Sequence, residues 1–329
     1  MPELRQNLAT KEWVIFSTER PQQPASLRVP VQAPPARDRS ACPFCPGHET
    51  MTGPASLAIG DEPRWRVRCI PNKTPVLVPN APKVGEAHKL YRALPGEGIH
   101  EIIVDSPDHD AELGSMPESQ ARDLFSAYQK RFQEALNNPR IAFTMIFKNH
   151  GPASGTSIEH PHSQLVGSGV VPHGIRHRMD EAMKYYESTG SCVFCRMIEA
   201  EMKDKARVVE ENDHFVAFVL YAALSPFHLW ILPKRHMASF NETNENELAS
   251  LARIVQRVIR RLKAGLGGIS YNYVIQSTPL DRGTTECFHW YMSLVVRCSK
   301  VSGFELGSGF YTNPVLPEES AKFLLGQQI

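Results

Sequence analysis

Two Cys-x-x-Cys pairs, Cys42 with Cys45 and Cys192 with Cys195, head two halves of the chain that repeat one order of features. Each pair is followed by a strand-like run, a histidine, an apolar-striped helix pattern, a second strand-like run, a loop and another histidine. His109 and His160 stand 51 residues apart in the first half, and His236 and His289 stand 53 apart in the second. A whole series recurring in order predicts an internal duplication. The fold class expected is α+β: two tandem repeats, each an antiparallel sheet with helices, forming one extended sheet or half-barrel. The expected division is an N-terminal repeat over 1–185 and a C-terminal repeat over 186–329.

Local patterns fill in this frame. Residues 12–17, 100–105, 141–147, 228–232 and 271–276 read as strands, and 65–78 as one or two strands broken at Pro71-Asn72. Ala121, Leu124, Phe125, Tyr128, Phe132 and Leu136 recur at helical spacing after Met116-Pro117. So do Leu248, Leu251, Ile254, Val255, Val258, Ile259 and Leu262, and both series predict amphipathic helices. The five prolines between Arg20 and Ser40 predict an extended arm.

Paired thiolates and imidazoles in a repeated frame favour tetrahedral zinc. The expected ligands are Cys42, Cys45, His109 and His160 in the first half, and Cys192, Cys195, His236 and His289 in the second. His100 and His228 occupy equivalent strand positions and compete as third ligands. Four protein ligands would leave zinc no open position, so the role expected is structural.

Reacting chemistry points elsewhere, to Glu159-His160-Pro161-His162-Ser163-Gln164. In an extended segment His160, His162 and Gln164 share a face. The preceding stretch, Asn149 to Ser157, is rich in Gly and Ser and can bring backbone N–H groups and hydroxyls close to an anion, which predicts phosphate chemistry. The second half has His289-Trp290-Tyr291 at the matching place, so only the first keeps the inner histidine and one active site per chain is expected. Thirty-six basic against thirty-five acidic residues leave no broad field for duplex nucleic acid or a membrane surface, so any anion site must be local. No apolar run approaches the roughly 20 residues of a membrane span, and a cytoplasmic protein is expected.

These residues resemble the histidine-triad superfamily and, within it, the galactose-1-phosphate uridylyltransferase branch. The resemblance is carried by Cys42-Pro43-Phe44-Cys45-Pro46-Gly47, Ser106-Pro107-Asp108-His109, the stretch from Asn149 to Gln164, and Gly303-Phe304-Glu305 with its following loop. It selects His109 and His236 over His100 and His228 as metal ligands and implies histidine-triad-like repeats with two structural zinc sites. Histidine-triad hydrolases carry a third histidine where this chain has Gln164, whereas the transferase branch carries glutamine.

The resemblance implies that His162 is the nucleophile and holds a nucleotidyl group as a phosphoramidate between two half-reactions. Gln164, Ser157 and Asn149 match donors to the phosphoryl oxygens. Phe44 and Asn72 match base contacts, Arg20 a substrate-contacting arginine, and Glu305 a hexose-hydroxyl ligand. Gln23 stands where that arginine has a partner, and Lys73 where better-known members carry an acidic residue. The substrates implied are a nucleoside-diphosphate sugar and a sugar 1-phosphate, with UDP-glucose and galactose 1-phosphate as the default pair and an ADP-glucose phosphorylase as the nearest alternative. A homodimer is implied as well.

Overall fold

The pleated alternation of the strand-like runs is satisfied in one antiparallel sheet that passes through both halves of the chain. The computed structural model describes residues 1–17, 21–31, 39–61, 64–84, 90–278 and 285–329, so Arg20 lies outside the described residues. In chain order the described strands begin with β1 (Glu3–Gln6), β2 (Trp13–Phe16), β3 (Leu57–Ile59), β4 (Val67–Pro71), β5 (Gly98–Val104), β6 (Phe143–His150) and β7 (His162–Ser168). They continue with β8 (Val208–Glu211), β9 (Phe215–Val219), β10 (Leu229–Pro233), β11 (Tyr271–Gln276), β12 (Tyr291–Val296) and β13 (Tyr311–Asn313). The α-helices are α1 (Glu118–Leu136), α2 (His173–Thr189), α3 (Val193–Asp204), α4 (Glu245–Leu266), α5 (Gly303–Ser308) and α6 (Pro317–Leu325).

Ten strands pair in the order β3-β4-β5-β7-β6-β11-β12-β10-β9-β8, while β1, β2 and β13 form a separate small sheet. Read inward from its two edges, the large sheet repeats itself: β3-β4-β5-β7-β6 matches β8-β9-β10-β12-β11. The halves meet where β6 pairs antiparallel with β11, Asn149 opposite Asn272 and Lys148 opposite Tyr273. The expected α+β fold with two tandem repeats in one extended sheet is therefore present.

Both apolar stripes fold as helices, and α1 and α4 pack against each other. In α4 every stripe residue from Leu248 to Leu262 is buried, and the helix starts at a capping box in which Asn244 and Glu247 satisfy each other's backbone N–H. In α1 the stripe from Ala121 to Phe132 is buried beneath β6 and β7. One large apolar core runs through both repeats, and a smaller one (Cys42, Phe44, Trp65, Ile70, Ile102 and Val104) lies under the first Cys-x-x-Cys turn.

Of the one or two strands expected over 65–78, one forms, β4, and it ends at Pro71: the Asn72 side chain accepts from Thr74 N at 2.9 Å, a local Asx turn that ends the pairing. Glu305 lies in the short helix α5, where Ser302 and Glu305 form the capping box. Helix α2 gave no usable stripe because, among its apolar side chains, only Met179 and Ala182 are buried. Among the described residues no helix is long and apolar enough to cross a membrane.

Leu251 of α4 is fully buried in the shared core. Leu251→Ala is expected to destabilise the protein by about 2–5 kcal/mol through lost burial and the cavity left behind, measured as a lower denaturation midpoint in urea.

Candidate active site and metal centres

The alternation of β7 sends its side chains to two different surroundings. His162 and Gln164 point to one face, where Phe44, His100, Ile102 and Val104 also lie. Ser163 points to the other, against α1. The first Cys-x-x-Cys turn covers the His162 face, and the Phe44 ring meets the His162 ring edge-on at 5.5 Å. Thus an apolar residue of the first Cys-x-x-Cys turn packs directly on the histidine expected to react.

The His162 ring is oriented by its own strand: Nδ1 lies 2.9 Å from the His160 carbonyl oxygen. A carbonyl only accepts, so Nδ1 carries the proton and the lone pair is on Nε2. Nε2 has no hydrogen-bond partner among the described residues. Burial disfavours the imidazolium and lowers the His162 pKa, and the nearby Lys148 ammonium acts in the same direction; the His160 carbonyl and Asp105 oppose it. The ring is therefore held as a neutral imidazole with one nitrogen free.

Gln164 is oriented by a residue whose role was not read from the sequence. His100 accepts the Val76 backbone N–H at Nδ1, 3.1 Å away, so its proton is on Nε2. That Nε2 lies 2.8 Å from Gln164 Oε1 and donates to it. Gln164 must then turn its amide nitrogen, a double donor, away from His100. Asn72 Nδ2 sits 3.0 Å from the same His100 nitrogen, which brings Asn72 into the site although two N–H groups cannot bond each other. His100 entered the sequence reading only as a rival metal ligand; its actual role depends on the β5–β7 register, which sets Ile102 opposite Gln164.

The loop from His150 to Ser157 leaves β6 through Gly151 and turns again at Gly155, both with positive φ. A Cβ at Gly151 would lie 2.5 Å from Ser270 Oγ, so glycine is required there by both conformation and space. Asn149 enters this loop from β6 and is held by Asn272, whose Nδ2 donates to Asn149 Oδ1 at 2.6 Å and to Ser154 O at 3.0 Å. Ser157 is exposed on the same loop. Glu305 is elsewhere engaged: one of its oxygens accepts from Ser302 and the other from Thr312, at 2.5 Å, and these bonds hold its carboxyl at about 2. Among the described residues no hydrogen bond joins Glu305 to His162.

Both expected ligand sets converge. Cys42, Cys45, His109 and His160 place their ligand atoms within 4.8 Å of one another, as do Cys192, Cys195, His236 and His289. Cys45 Sγ lies 3.3 Å from His109 Nδ1 and 3.7 Å from His160 Nδ1. Cys195 Sγ lies 3.3 Å from His236 Nδ1 and 3.6 Å from His289 Nδ1. A tetrahedral ion with bonds of about 2.0 Å to nitrogen and 2.3 Å to sulfur needs ligand atoms roughly 3.3–3.8 Å apart, so the donors fit. Three of the four histidines fix the Nδ1 lone pair inward by donating Nε2–H to a backbone carbonyl: His160 to Ser106, His236 to Thr285 and His289 to Pro233. The second cluster differs in form, because Cys192 caps α3 and Cys195 lies in its first turn.

Beneath His162, on the helix side of the sheet, is a polar group that the sequence reading did not single out. Lys148 pairs with Asp105, and both side chains are almost completely buried. Lys148 Nζ also donates to the His162 carbonyl at 3.1 Å, and Ser163 Oγ donates to Asp105 Oδ1 at 2.9 Å. The only sequence signal was a lysine inside an apolar strand, Ile146-Phe147-Lys148.

Comparison with known proteins agrees with this geometry. Residues 1–172 match the family model for the N-terminal domain of galactose-1-phosphate uridyl transferase, and residues 178–316 match that for its C-terminal domain. The chain is 33% identical to an ADP-glucose phosphorylase of Arabidopsis thaliana over 98% of this chain and 92% of the relative. It is 27% identical to a galactose-1-phosphate uridylyltransferase of Thermotoga maritima over 98% of both chains. Among solved structures, the Arabidopsis ADP-glucose phosphorylase with bound ADP-glucose superposes with a TM-score of 0.84 at 32% identity, covering 100% of this chain and 99% of the other. A uridylyltransferase superposes with a TM-score of 0.77 at 29% identity, covering 99% and 97%. The chain belongs to the galactose-1-phosphate uridylyltransferase family and is a nucleotidyltransferase of that family.

Proposed function

We propose that the chain transfers a nucleoside monophosphate from a nucleoside-diphosphate sugar to a second phosphate through a covalent intermediate on His162. One observation carries the reading: a buried neutral imidazole, fixed at Nδ1, with Nε2 left unpaired among the described residues. In the first half-reaction Nε2 attacks the α-phosphorus. The nitrogen–phosphorus bond forms, the bond from that phosphorus to the bridging oxygen breaks, and sugar 1-phosphate leaves with the electron pair. In the second, a phosphate oxygen of the acceptor displaces His162 from the same phosphorus and returns the neutral ring. Two displacements restore the original configuration.

The Gln164 amide, oriented by His100, is suited to donate to a non-bridging oxygen as charge develops there. Asn149 and Ser157 are taken as further donors to the phosphates, and Phe44 and Asn72 as neighbours of the nucleotide. For the base we favour adenine and for the donor ADP-glucose. The similarity to the Arabidopsis ADP-glucose phosphorylase exceeds that to the Thermotoga maritima uridylyltransferase, 33% against 27% over nearly the whole chain. UDP-glucose is the competing donor, and inorganic phosphate or a sugar 1-phosphate the acceptor. Each Cys-Cys-His-His cluster is taken to hold a structural zinc, four protein ligands leaving no position open for substrate.

Incubation with ADP-glucose labelled in the α-phosphate is expected to leave acid-labile, base-stable label on the protein, absent in His162→Asn. Label from UDP-glucose alone would assign the base to uracil, and label from neither would refute the covalent reading. Gln164→Ala is expected to slow the first half-reaction by about 10²–10³-fold. Metal analysis is expected to give two zinc ions per chain. Cys192→Ser should remove one of them and lower the melting temperature by at least about 5 °C, the shift that a few kcal/mol produces in a chain of this size.

A further inference from the structure

The two repeats are each other's control. β7 sets Gln164 opposite Phe147 and Ser163 opposite Lys148, and β12 sets Ser293 opposite Val274 and Met292 opposite Ile275. Lys148 therefore corresponds to Ile275, and Ser163 to Met292. The end of β5 that carries Asp105 corresponds to Leu232-Pro233 at the end of β10. Where the first repeat buries an ion pair and a hydroxyl, the second has only apolar side chains on an equivalent set of strands, beside an equivalent ligand cluster.

A buried ion pair loses hydration that its mutual attraction does not reliably return, and apolar residues of similar size often serve packing as well or better. The second repeat demonstrates that this architecture closes without the pair. What the first repeat has in addition is His162, and the polar groups converge on its backbone. Asp105 N donates to the Pro161 carbonyl at 3.0 Å, and Lys148 Nζ donates to the His162 carbonyl at 3.1 Å. Asp105 Oδ1 accepts the Ser163 hydroxyl at 2.9 Å. Tyr128 of α1 completes the chain, bonded to Ser163 Oγ and, at 2.7 Å, to Tyr273 OH of β11.

We propose that Lys148 and Asp105 are positioning residues for His162. They clamp residues 161–163 from the helix side so that the ring, hung by Nδ1 from the His160 carbonyl, presents Nε2 in line with the bond to be broken. The inference rests on the nucleotidyl-histidine reading above. Neither residue touches substrate; they act by removing backbone freedom beneath the nucleophile, where a displacement of about 1 Å can cost two orders of magnitude in rate.

The test replaces the pair with residues of the second repeat's kind, Lys148→Ile together with Asp105→Leu, so that no charge is left buried without a partner. Single-turnover transfer from α-phosphate-labelled nucleotide sugar to protein is compared with the parent. Expected are a fall of about 10²-fold in the first-order rate constant at saturation, half-saturation within twofold, unchanged metal content and a melting temperature no lower than the parent's. An unchanged rate constant overturns the inference. So does loss of metal or a clearly lower melting temperature, because the pair would then be holding the fold. A parent protein that takes no label from any nucleotide sugar overturns the histidine reading, and this inference with it, so the two failures are told apart by the parent alone.

Discussion

The pairing of β6 with β11 is the constraint on which the rest of the architecture depends. It joins the two repeats into one sheet, and it fixes the strand that supplies Lys148 and Asn149 and feeds the glycine-containing loop. Asn272 of β11 holds both Asn149 and the Ser154 carbonyl, and Tyr273 reaches Tyr128. Asn272 and Tyr273 belong to the repeat that has Tyr291 at the place of His162. That repeat is thus a buttress for the other's site, and the apolar core shared by α1 and α4 makes the two halves one mechanical unit.

Within the first repeat, the pleat of β7 separates duties that would interfere on one surface. His160, just before the strand, turns Nδ1 to the Cys42-Cys45-His109 cluster while its carbonyl orients His162. A candidate metal ligand and the proposed nucleophile, two residues apart, are thereby coupled through the backbone. Gln164 follows on the same face, where His100 can set its amide. Ser163, on the opposite face, is left for the buried polar chain. His-Pro-His-Ser-Gln is in this sense two interleaved motifs, one facing Phe44 and His100 and one facing the helix.

This division explains how far the sequence could be read. The duplication, the two striped helices and the two Cys-Cys-His-His groupings were legible because each depends on local periodicity or on residue types with few alternative uses. His100 and Lys148 were not, since their meaning lies in ladder register: which residue stands across a strand cannot be counted along the chain. His100 looked as good a ligand as His109 until the pairing of β5 with β7 placed it beside Gln164 instead. Glu305 carries a local signal of its own: with Ser302 three residues before it, it forms the capping box of α5, a role that neighbouring residues alone could indicate. Helix α2 lies on the surface with little buried area, and a helix that needs no apolar stripe leaves none in the sequence.

The second repeat also shows how a site of this kind closes. His228 keeps the place and hydrogen-bonding habit of His100, with Nε2 2.9 Å from Ser293 Oγ at the position of Gln164; burial pushes its pKa down to about 3, so it is a neutral packing group. Tyr291 stands where His162 stands, and Trp230 where Ile102 stands. Their rings stack at 4.0 Å, Phe194 of the second Cys-x-x-Cys segment lies 5.5 Å from Tyr291, and Arg178 of α2 approaches the Tyr291 hydroxyl at 3.4 Å. Phe44 lies 5.5 Å from the His162 ring, edge-on, and Phe194 lies 5.5 Å from the Tyr291 ring, stacked, so each Cys-x-x-Cys segment sets a phenylalanine over the corresponding residue. Replacing an imidazole and an aliphatic side chain by a phenol and an indole fills with aromatic surface the region where the first repeat has His162 and Ile102. Once that volume is filled, a charged clamp under the strand has nothing left to aim, and apolar residues at Ile275 and Met292 pack the same space without the cost of desolvating an ion pair.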